Sequence, residues 1–186
     1  IAAESYSRIN KEVGGALVTT GPVATNSITG IAGAWLDSVP ILIISGQVKR
    51  ADINNENLVR QKGPQEIDIV SMVKGITKYS KTILDPNIFL NELQKAVSIS
   101  KSGRPGPCLI DIPLDIQSSE LEIPNEYNES NYKEIPTQKF RIDNKLEKMM
   151  YELKKSKKPL LLMGMGVKCS DSVKKKKKLI EITNIP

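Results

Sequence analysis

The first half of the chain alternates short apolar runs with segments of helical periodicity. Apolar runs at residues 16–20, 39–44 and 108–112 are each followed by a turn that contains Gly or Pro. This length and punctuation predict strands. The run 39–44 is continuous and rich in branched side chains, which is typical of a strand that a parallel sheet buries on both faces.

Two segments between these runs are predicted to be amphipathic helices. The first places five apolar residues on one face, which we expect to be buried: Ile28, Ile31, Ala32, Trp35 and Leu36. Thr25 or Asn26 is its expected N-cap. In the second helix, Asp85 can cap the start, Pro86 suits the first position and Gly103 can close the end. Strands that alternate with helices predict an α/β fold, with a parallel sheet flanked by helices.

Residues 117–142 have no periodicity and contain two prolines, so we expect an interdomain linker there. A second strand–helix rhythm follows, with a helical face at 146–153, a predicted strand at 159–163, a Gly-Met-Gly turn at 164–166 and a helix to about Thr183. One strand and two helices cannot cover both faces of a sheet. We therefore expect residues 143–186 to be the truncated start of a second domain.

The composition is that of an ordinary soluble chain. Its 186 residues are 39% hydrophobic and 26% charged, which is enough to build a core and a solvated surface. No apolar run approaches the roughly 20 residues that span a bilayer, and residues 1–6 show no signal-peptide pattern. We expect a cytoplasmic protein with no membrane partner.

The net charge of +6 raises the question of nucleic-acid binding. Much of the excess is the run of lysines at 174–178, which would cover every side of a helix. No aromatic residues are interleaved to stack on bases. We interpret the run as a solvated helix face and expect no nucleic-acid partner.

The chain offers few residues for metal binding or nucleophilic catalysis. It contains no His, and its two cysteines, Cys108 and Cys169, are far apart without metal-ligand neighbours. Zinc sites and Ser-His or Cys-His pairs are therefore disfavoured. Both cysteines are expected to be reduced, as in the cytoplasm.

Candidate binding groups lie in the turns after the predicted strands. Ligands of open α/β sheets bind at the carboxyl ends of the strands, where loops converge. The turns in question are 21–26, 45–47 and the region from Pro113 onward. These turns alone are weak evidence, because every α/β protein has them.

The content and order of these segments make the signal specific. The motifs are T-G-P-V-A-T-N at 20–26, I-S-G-Q-V at 44–48, Q-E-I-D-I-V at 65–70, S-G-R-P-G-P at 102–107 and D-I-P-L-D at 111–115. Together they resemble the pyrimidine-binding domain of thiamine-diphosphate enzymes of the acetolactate synthase type. Residues 159–167 are similar to the opening strand and glycine turn of that family's central domain.

The resemblance implies three domain assignments. Residues 1–116 would form the pyrimidine-binding (N-terminal) domain without its first elements, 117–142 the linker, and 143–186 the truncated start of a Rossmann-like α/β central domain. The family's activating Glu would lie just upstream of Ile1, so no catalytic residue is expected in this chain. No metal ligand is expected either, because the family binds its metal ion in a different domain.

The resemblance also implies an activity. Family members are carboligases or lyases that act on 2-oxo acids such as pyruvate, as in branched-chain amino acid biosynthesis. They use thiamine diphosphate, with Mg²⁺ bound by a domain missing here, and some carry FAD. The coenzyme lies between two subunits, so a homodimer or homotetramer is expected.

Four cofactor-binding residues follow from the motifs by resemblance. Pro22 and Asn26 would line the pyrimidine end, Gln65 would approach coenzyme and substrate, and Arg104 would match the arginine that contacts flavin. Each has a plainer reading: a turn at Pro22, a helix cap at Asn26, loop scaffolding at Gln65, and pairing with an acidic neighbour at Arg104.

Two departures from the motifs leave the substrate open. Val23 stands where the family usually has Gly, and a β-branched residue resists close backbone approach or positive φ. The polar loop at 49–63 is longer than in acetolactate synthases proper. Val23 would either give the pyrimidine pocket a different shape or weaken coenzyme binding, and the long loop points to a related 2-oxo-acid carboligase or decarboxylase. The alternatives are a non-oxidative 2-oxo-acid decarboxylase of the same superfamily and a coenzyme-free α/β module that retains the fold.

Overall fold

The computed structural model describes residues 1–54, 59–121 and 143–186. The chain divides into two compact units, Ile1–Thr137 and Gln138–Pro186. In the described part of the chain, no helix is both long enough and apolar enough to cross a membrane.

The first unit is built on a four-stranded sheet in which every pair of neighbours is parallel. The strands are β1 (Gly14–Val18), β2 (Ile41–Gln47), β3 (Tyr79–Thr82) and β4 (Cys108–Pro113). Their order across the sheet is β1-β2-β4-β3. The predicted α/β fold with a parallel sheet is confirmed.

Helices flank this sheet. They are α1 (Ala2–Asn10), α2 (Pro22–Asn26), α3 (Ile28–Asp37), α4 (Ile69–Val73), α5 (Phe89–Lys101) and α6 (Leu114–Gln117). Short 3₁₀ turns occur at Arg50–Asp52, Lys74–Ile76 and Pro86–Ile88. The polar stretch 49–64 holds only the first of these turns within its described residues, as expected of a loop.

The core lies on both faces of the two central strands. Every residue of β4 is buried. Ile41 and Ile43 of β2 pack with Ile31, Ile69 and Val73 on one face. Alternating side chains of β2 and β4 pack on the other face: Leu42, Cys108, Ile110 and Ile112, with Ile83 and Ala96. The prediction that 39–44 belongs to a strand buried on both faces is confirmed for its β2 residues.

The prediction of which α3 residues are buried is only partly confirmed. Ile31 is fully buried, together with Ala34, whereas Trp35 is 39% and Leu36 is 72% exposed. The helix faces the sheet along Ile31 and Ala34, which are three positions apart, and this orientation turns Leu36 outward. The cap prediction is also wrong, because Ser27 is the N-cap, while Thr25 and Asn26 lie in α2.

The predicted end of α5 is confirmed, but the predicted start belongs to the 3₁₀ turn before the helix, since α5 begins at Phe89 with Ile88 as its N-cap. The Asp85 side chain accepts a hydrogen bond from the backbone N–H of Asn87 at 2.9 Å. Pro86 begins the 3₁₀ turn that leads into the helix. Beyond the helix, Gly103 has a φ of +55°, a conformation that Gly adopts without strain.

The second unit contains α7 (Asp143–Lys155), α8 (Gly166–Cys169) and α9 (Val173–Thr183). The prediction of helices on both sides of residues 159–163 is confirmed, but the prediction of a strand at 159–163 is wrong. That segment is irregular, and its Leu161 N–H donates to the carbonyl of Pro186 at 2.9 Å. A strand needs a neighbour to pair with. Of the predicted linker 117–142, residues 122–142 lie outside the described part of the chain, and Gln117 ends α6.

Candidate functional site

The candidate site lies at the carboxyl edge of the sheet. In the parallel register Val18 is opposite Ser45, and Gln47 is opposite Pro113, so β1, β2 and β4 end at the same edge. The turn after β1 and the segment 65–67 come together there with the side chain of Gln47. This is the edge at which open α/β sheets bind ligands.

A close backbone approach joins the first two motifs. Gly21 has a φ of +72°, and a Cβ atom on it would lie 2.6 Å from the carbonyl oxygen of Gln65. Only Gly fits this position. Gln65 itself has a φ of +62°, which is uncommon for a residue with a side chain. The turn at 20–22 and the segment at 65–67 are therefore pressed together in an unusual geometry.

The side chain of Gln47 connects these segments to the sheet. Its Oε1 accepts hydrogen bonds from the Thr20 hydroxyl and from the backbone N–H of Val48, each at 3.0 Å. Its Nε2 donates to the carbonyl of Ile67 at 2.8 Å and to Asp111 Oδ2 at 3.0 Å. Gln47 is buried, and all four of these bonds are in place, as the interior of a protein requires.

Asp111 lies beneath Gln47 and is 1% exposed. Its Oδ2 also receives the Thr82 hydroxyl at 3.4 Å. Its Oδ1 is buried without a hydrogen-bond partner among the described residues. Burial raises the pKa of Asp111 to about 6, and the charge of Asp68 acts in the same direction, while the Gln47 hydrogen bond lowers it.

Three of the predicted site residues lie at or near this edge. Pro22 begins α2 and Asn26 ends it, and both are exposed. Gln65, also exposed, is brought next to Pro22 by the contact with Gly21. The structure thus places the first and third motifs together, while the role of each residue stays a prediction.

Arg104 lies elsewhere. Its Nε donates to the Ser38 hydroxyl at 2.6 Å, and its Nη2 donates to the Leu36 carbonyl at 3.4 Å. Ser38 precedes β2 and Arg104 precedes β4, so this pair belongs to the amino edge of the sheet. Neither of these partners is acidic. The flavin contact suggested for Arg104 stays a prediction and concerns a different edge from Gln65.

Val23 fits its position without backbone strain. It lies inside α2 and is absent from the residues with positive φ. Its side chain is 45% exposed. The family's Gly is therefore not needed here for an unusual backbone conformation, and any effect of Val23 must come from the space that its side chain occupies.

Glu66 organises the loop before the candidate site. Its carboxylate accepts hydrogen bonds from the backbone N–H groups of Asn54, of Lys62 at 2.7 Å and of Gly63 at 3.4 Å. Burial alone would raise the pKa of Glu66, but these donors outweigh it and lower the pKa. Glu66 stands in the third motif, but the sequence pattern did not predict this role.

The donor set at the carboxyl edge fits the pyrimidine end of thiamine diphosphate. Exposed Pro22 offers an apolar surface, and the carboxamides of Asn26 and Gln65 offer donors and acceptors. In the described ranges, no group of three His, Cys, Asp or Glu residues could hold a metal ion.

Comparisons with known proteins agree with the motifs. Residues 1–72 match the family "Thiamine pyrophosphate enzyme, N-terminal TPP binding domain". The whole chain is 37% identical to "Acetolactate synthase 2, chloroplastic" of Nicotiana tabacum, and covers 27% of it. It is 39% identical to "Acetolactate synthase large subunit" of Pyropia yezoensis, with 100% of this chain and 30% of that protein aligned.

A bacterial relative gives the same picture. The "Acetolactate synthase large subunit" of Lactococcus lactis is 36% identical over 99% of this chain and 31% of its own length. The chain thus spans less than a third of these relatives. The resemblance to acetolactate synthase-like thiamine-diphosphate enzymes is confirmed.

Proposed function

We propose that this chain, which resembles acetolactate synthases throughout, is part of a thiamine-diphosphate-dependent carboligase or lyase acting on 2-oxo acids such as pyruvate. Residues 1–116 would hold the pyrimidine end of the coenzyme. The observation that carries the proposal is the contact of Gly21 with Gln65, which joins two of the resembling motifs at the ligand-binding edge of the sheet.

Each site residue has a part in this proposal. When bound, thiamine diphosphate would supply the carbon nucleophile for decarboxylation of the 2-oxo acid. Pro22 would pack against the pyrimidine ring, and Asn26 would hydrogen-bond its edge. The exposed carboxamide of Gln65 would orient coenzyme and substrate. Mg²⁺ and the diphosphate would be held by another domain, and FAD, where present, would contact Arg104.

The proposal extends to assembly and location. A second subunit, in a homodimer or homotetramer, would complete the coenzyme site. Cys108 and Cys169 are both free, which fits a reducing compartment such as the cytoplasm. The relatives from tobacco are named chloroplastic, so a plastid is the other candidate compartment.

Product analysis tests the proposed reaction. The full-length enzyme is expected to form acetolactate from pyruvate with thiamine diphosphate and Mg²⁺. Acetaldehyde as the product would instead indicate a decarboxylase of the same superfamily, the second candidate function. Absence of coenzyme binding would show a module that retains only the fold.

A matched pair of variants tests the site. Gln65→Ala should raise the coenzyme Kd or the KM for pyruvate about tenfold, as expected for the loss of one or two hydrogen bonds. Gln61→Ala changes an exposed Gln of the same loop and should leave both constants unchanged. Equal effects of the two variants would contradict the placement of the site at Gln65.

A further inference from the structure

Four side chains and backbone groups at the carboxyl edge form a connected, buried arrangement. The Thr20 hydroxyl, the Gln47 carboxamide, the Ile67 carbonyl and the Asp111 carboxylate are joined through Gln47. We call this arrangement the Gln47 clasp. We propose that the clasp holds Gln65 in its place at the site, which makes Thr20, Gln47 and Asp111 positioning residues. This inference rests on the proposed function of Gln65.

The backbone of Gln65 needs such support. A positive φ at a residue with a side chain costs about 1 kcal/mol or more, and it persists where the surroundings over-determine it. Two contacts hold the segment that contains the strained position. Gln47 Nε2 donates to the Ile67 carbonyl at 2.8 Å, and Gly21 lies directly against the backbone and Cβ of Gln65. Thr20 donates its single hydroxyl proton to Gln47 and so fixes the carboxamide that holds Ile67, while its Oγ1 lies 3.4 Å from the Gln65 carbonyl.

The clasp admits one orientation of Gln47. Both lone pairs of Oε1 face donors, namely the Thr20 hydroxyl and the N–H of Val48. Both N–H groups of Nε2 face acceptors, namely Ile67 and Asp111. A flipped carboxamide would set its Nε2 against the N–H of Val48 and its Oε1 against the Ile67 carbonyl and the Asp111 carboxylate. Breaking one such buried bond leaves its partner unsatisfied.

Asp111 contributes an acceptor to the clasp. Its Oδ2 receives Gln47 Nε2, and Oδ1 makes no hydrogen bond within the described residues. An Asn side chain can present its carbonyl oxygen to Gln47 in the same place, whereas Ala cannot. Asp111→Asn should therefore retain the clasp, and Asp111→Ala should lose it. This difference would show that the clasp depends on the acceptor at position 111.

The experiment compares two threonines that differ in location. Thr20→Val and Thr77→Val each delete one buried hydroxyl that donates a hydrogen bond, but Thr77 donates to Val73, outside the clasp. Gln47→Leu removes all four hydrogen bonds of the Gln47 carboxamide, so it should have a larger effect than Thr20→Val. If Gln47→Leu does not fold, Thr20→Val still tests the clasp. The full-length enzyme is used throughout.

The first readout is amide hydrogen exchange of the peptide 60–68. It contains hydrogen-bonded amides at Lys62, Gly63 and Glu66. Thr20→Val and Gln47→Leu should accelerate exchange there about tenfold, the equivalent of one buried hydrogen bond. Thr77→Val should leave this peptide unchanged. Unchanged exchange in the clasp variants would overturn the proposal.

The second readout is the affinity for thiamine diphosphate, measured by calorimetric titration with Mg²⁺ present. The clasp variants should weaken binding about tenfold, in step with faster exchange. Asp111→Ala should also accelerate exchange of the peptide 60–68 and weaken coenzyme binding. Asp111→Asn should keep both the exchange rate and the affinity of the unmodified enzyme. Faster exchange with unaltered affinity would overturn the positioning role. If the unmodified enzyme binds no coenzyme, the proposed function fails, and the role of the clasp at the site is overturned with it.

Discussion

At the scale of single residues, the buried carboxyl of Asp111 makes folding depend on pH. Its ordinary pKa of 3.8 rises to about 6 in the fold, because burial penalises the charged form. A carboxyl with a raised pKa binds protons more tightly when folded. Its contribution to stability is therefore complete below about pH 4 and is lost as the pH rises through about 6.

The variant Asp111→Asn should remove this dependence. A pKa increase of about two units corresponds to about 3 kcal/mol, which the unmodified protein should lose between pH 4 and 7. Asn cannot titrate, so the unfolding free energy of the variant should lack this decrease. Urea unfolding at pH 4, 5, 6 and 7 measures the difference, with Glu12→Gln as the control at an exposed carboxylate. Parallel pH profiles for unmodified protein and Asp111→Asn would contradict the assignment.

Sequence patterns predicted the edge of the sheet better than the contacts across it. The turn 21–26 was expected at the carboxyl ends of the strands and follows β1 at that edge, while the roles of Pro22 and Gln65 stay predictions. The contact of Gln47 with Asp111, 64 positions apart, was missed. It requires β2 and β4 to be neighbours with Ser45 opposite Asp111, and neither motif contains that information. The signal that could have found it is the occurrence of a polar residue at the end of two buried apolar runs.

At the scale of elements, the two errors on strands have one cause. β3 (Tyr79–Thr82) was missed because its residues are mostly polar, and all of them are half-buried. Among the described strands it lies at the edge of the sheet and pairs only with β4, and edge strands tolerate polar side chains. The apolar segment 159–163 was predicted to be a strand although no strand pairs with it among the described residues. Apolar patterning reports burial, whereas a strand also needs a partner.

The end of α5 depends on a lysine from outside the helix. Lys78 Nζ donates to the Ile99 carbonyl, and to the Ser102 carbonyl at 2.5 Å. A cation at this end of a helix is favourable, because the helix dipole is negative there. The Ile99 carbonyl also accepts hydrogen bonds from the N–H of Ser102 at 3.2 Å and from its hydroxyl at 3.0 Å. The carbonyls attract the charged form of Lys78, but its burial disfavours that form. Burial therefore lowers the pKa of Lys78.

Lys78→Met should therefore destabilise the first unit. Met keeps most of the apolar stem but leaves the carbonyls of Ile99 and Ser102 without this donor, at a cost of about 1–3 kcal/mol. Urea unfolding measures the loss, and faster exchange of the Ser102 and Gly106 amides would locate it. Lys74→Met at an exposed position is the matched control. Equal unfolding free energies for the two variants would show that Lys78 does not hold this helix end.

At the scale of the whole chain, the second unit exposes much apolar surface. On α7 and α9 the exposed residues include Leu146, Met149, Met150, Leu179, Ile180 and Ile182. Exposed apolar side chains in this number promote association in water. A polypeptide of residues 1–186 is therefore best studied at several concentrations, so that association is separated from ligand binding.

The polypeptide 1–186 alone should bind thiamine diphosphate no more tightly than about 1 mM. A metal-bridged diphosphate carries much of the binding energy of such a coenzyme through charge-assisted contacts. The described residues contain no group of three His, Cys, Asp or Glu that could hold the metal ion. The pyrimidine end offers a few hydrogen bonds of about 1 kcal/mol each, and about 4 kcal/mol corresponds to a millimolar Kd.

Calorimetric titration of the polypeptide with thiamine diphosphate and Mg²⁺ checks this value, and no turnover of pyruvate is expected in the same mixture. The variant Gln65→Ala serves as the comparison, since it should abolish the weak binding if the carboxyl edge is the site. Micromolar binding that persists in Gln65→Ala would mean that the coenzyme site lies elsewhere in the chain. Micromolar binding that Gln65→Ala removes would instead mean that the turn at 20–22 and the segment at 65–67 hold more of the coenzyme than its pyrimidine ring.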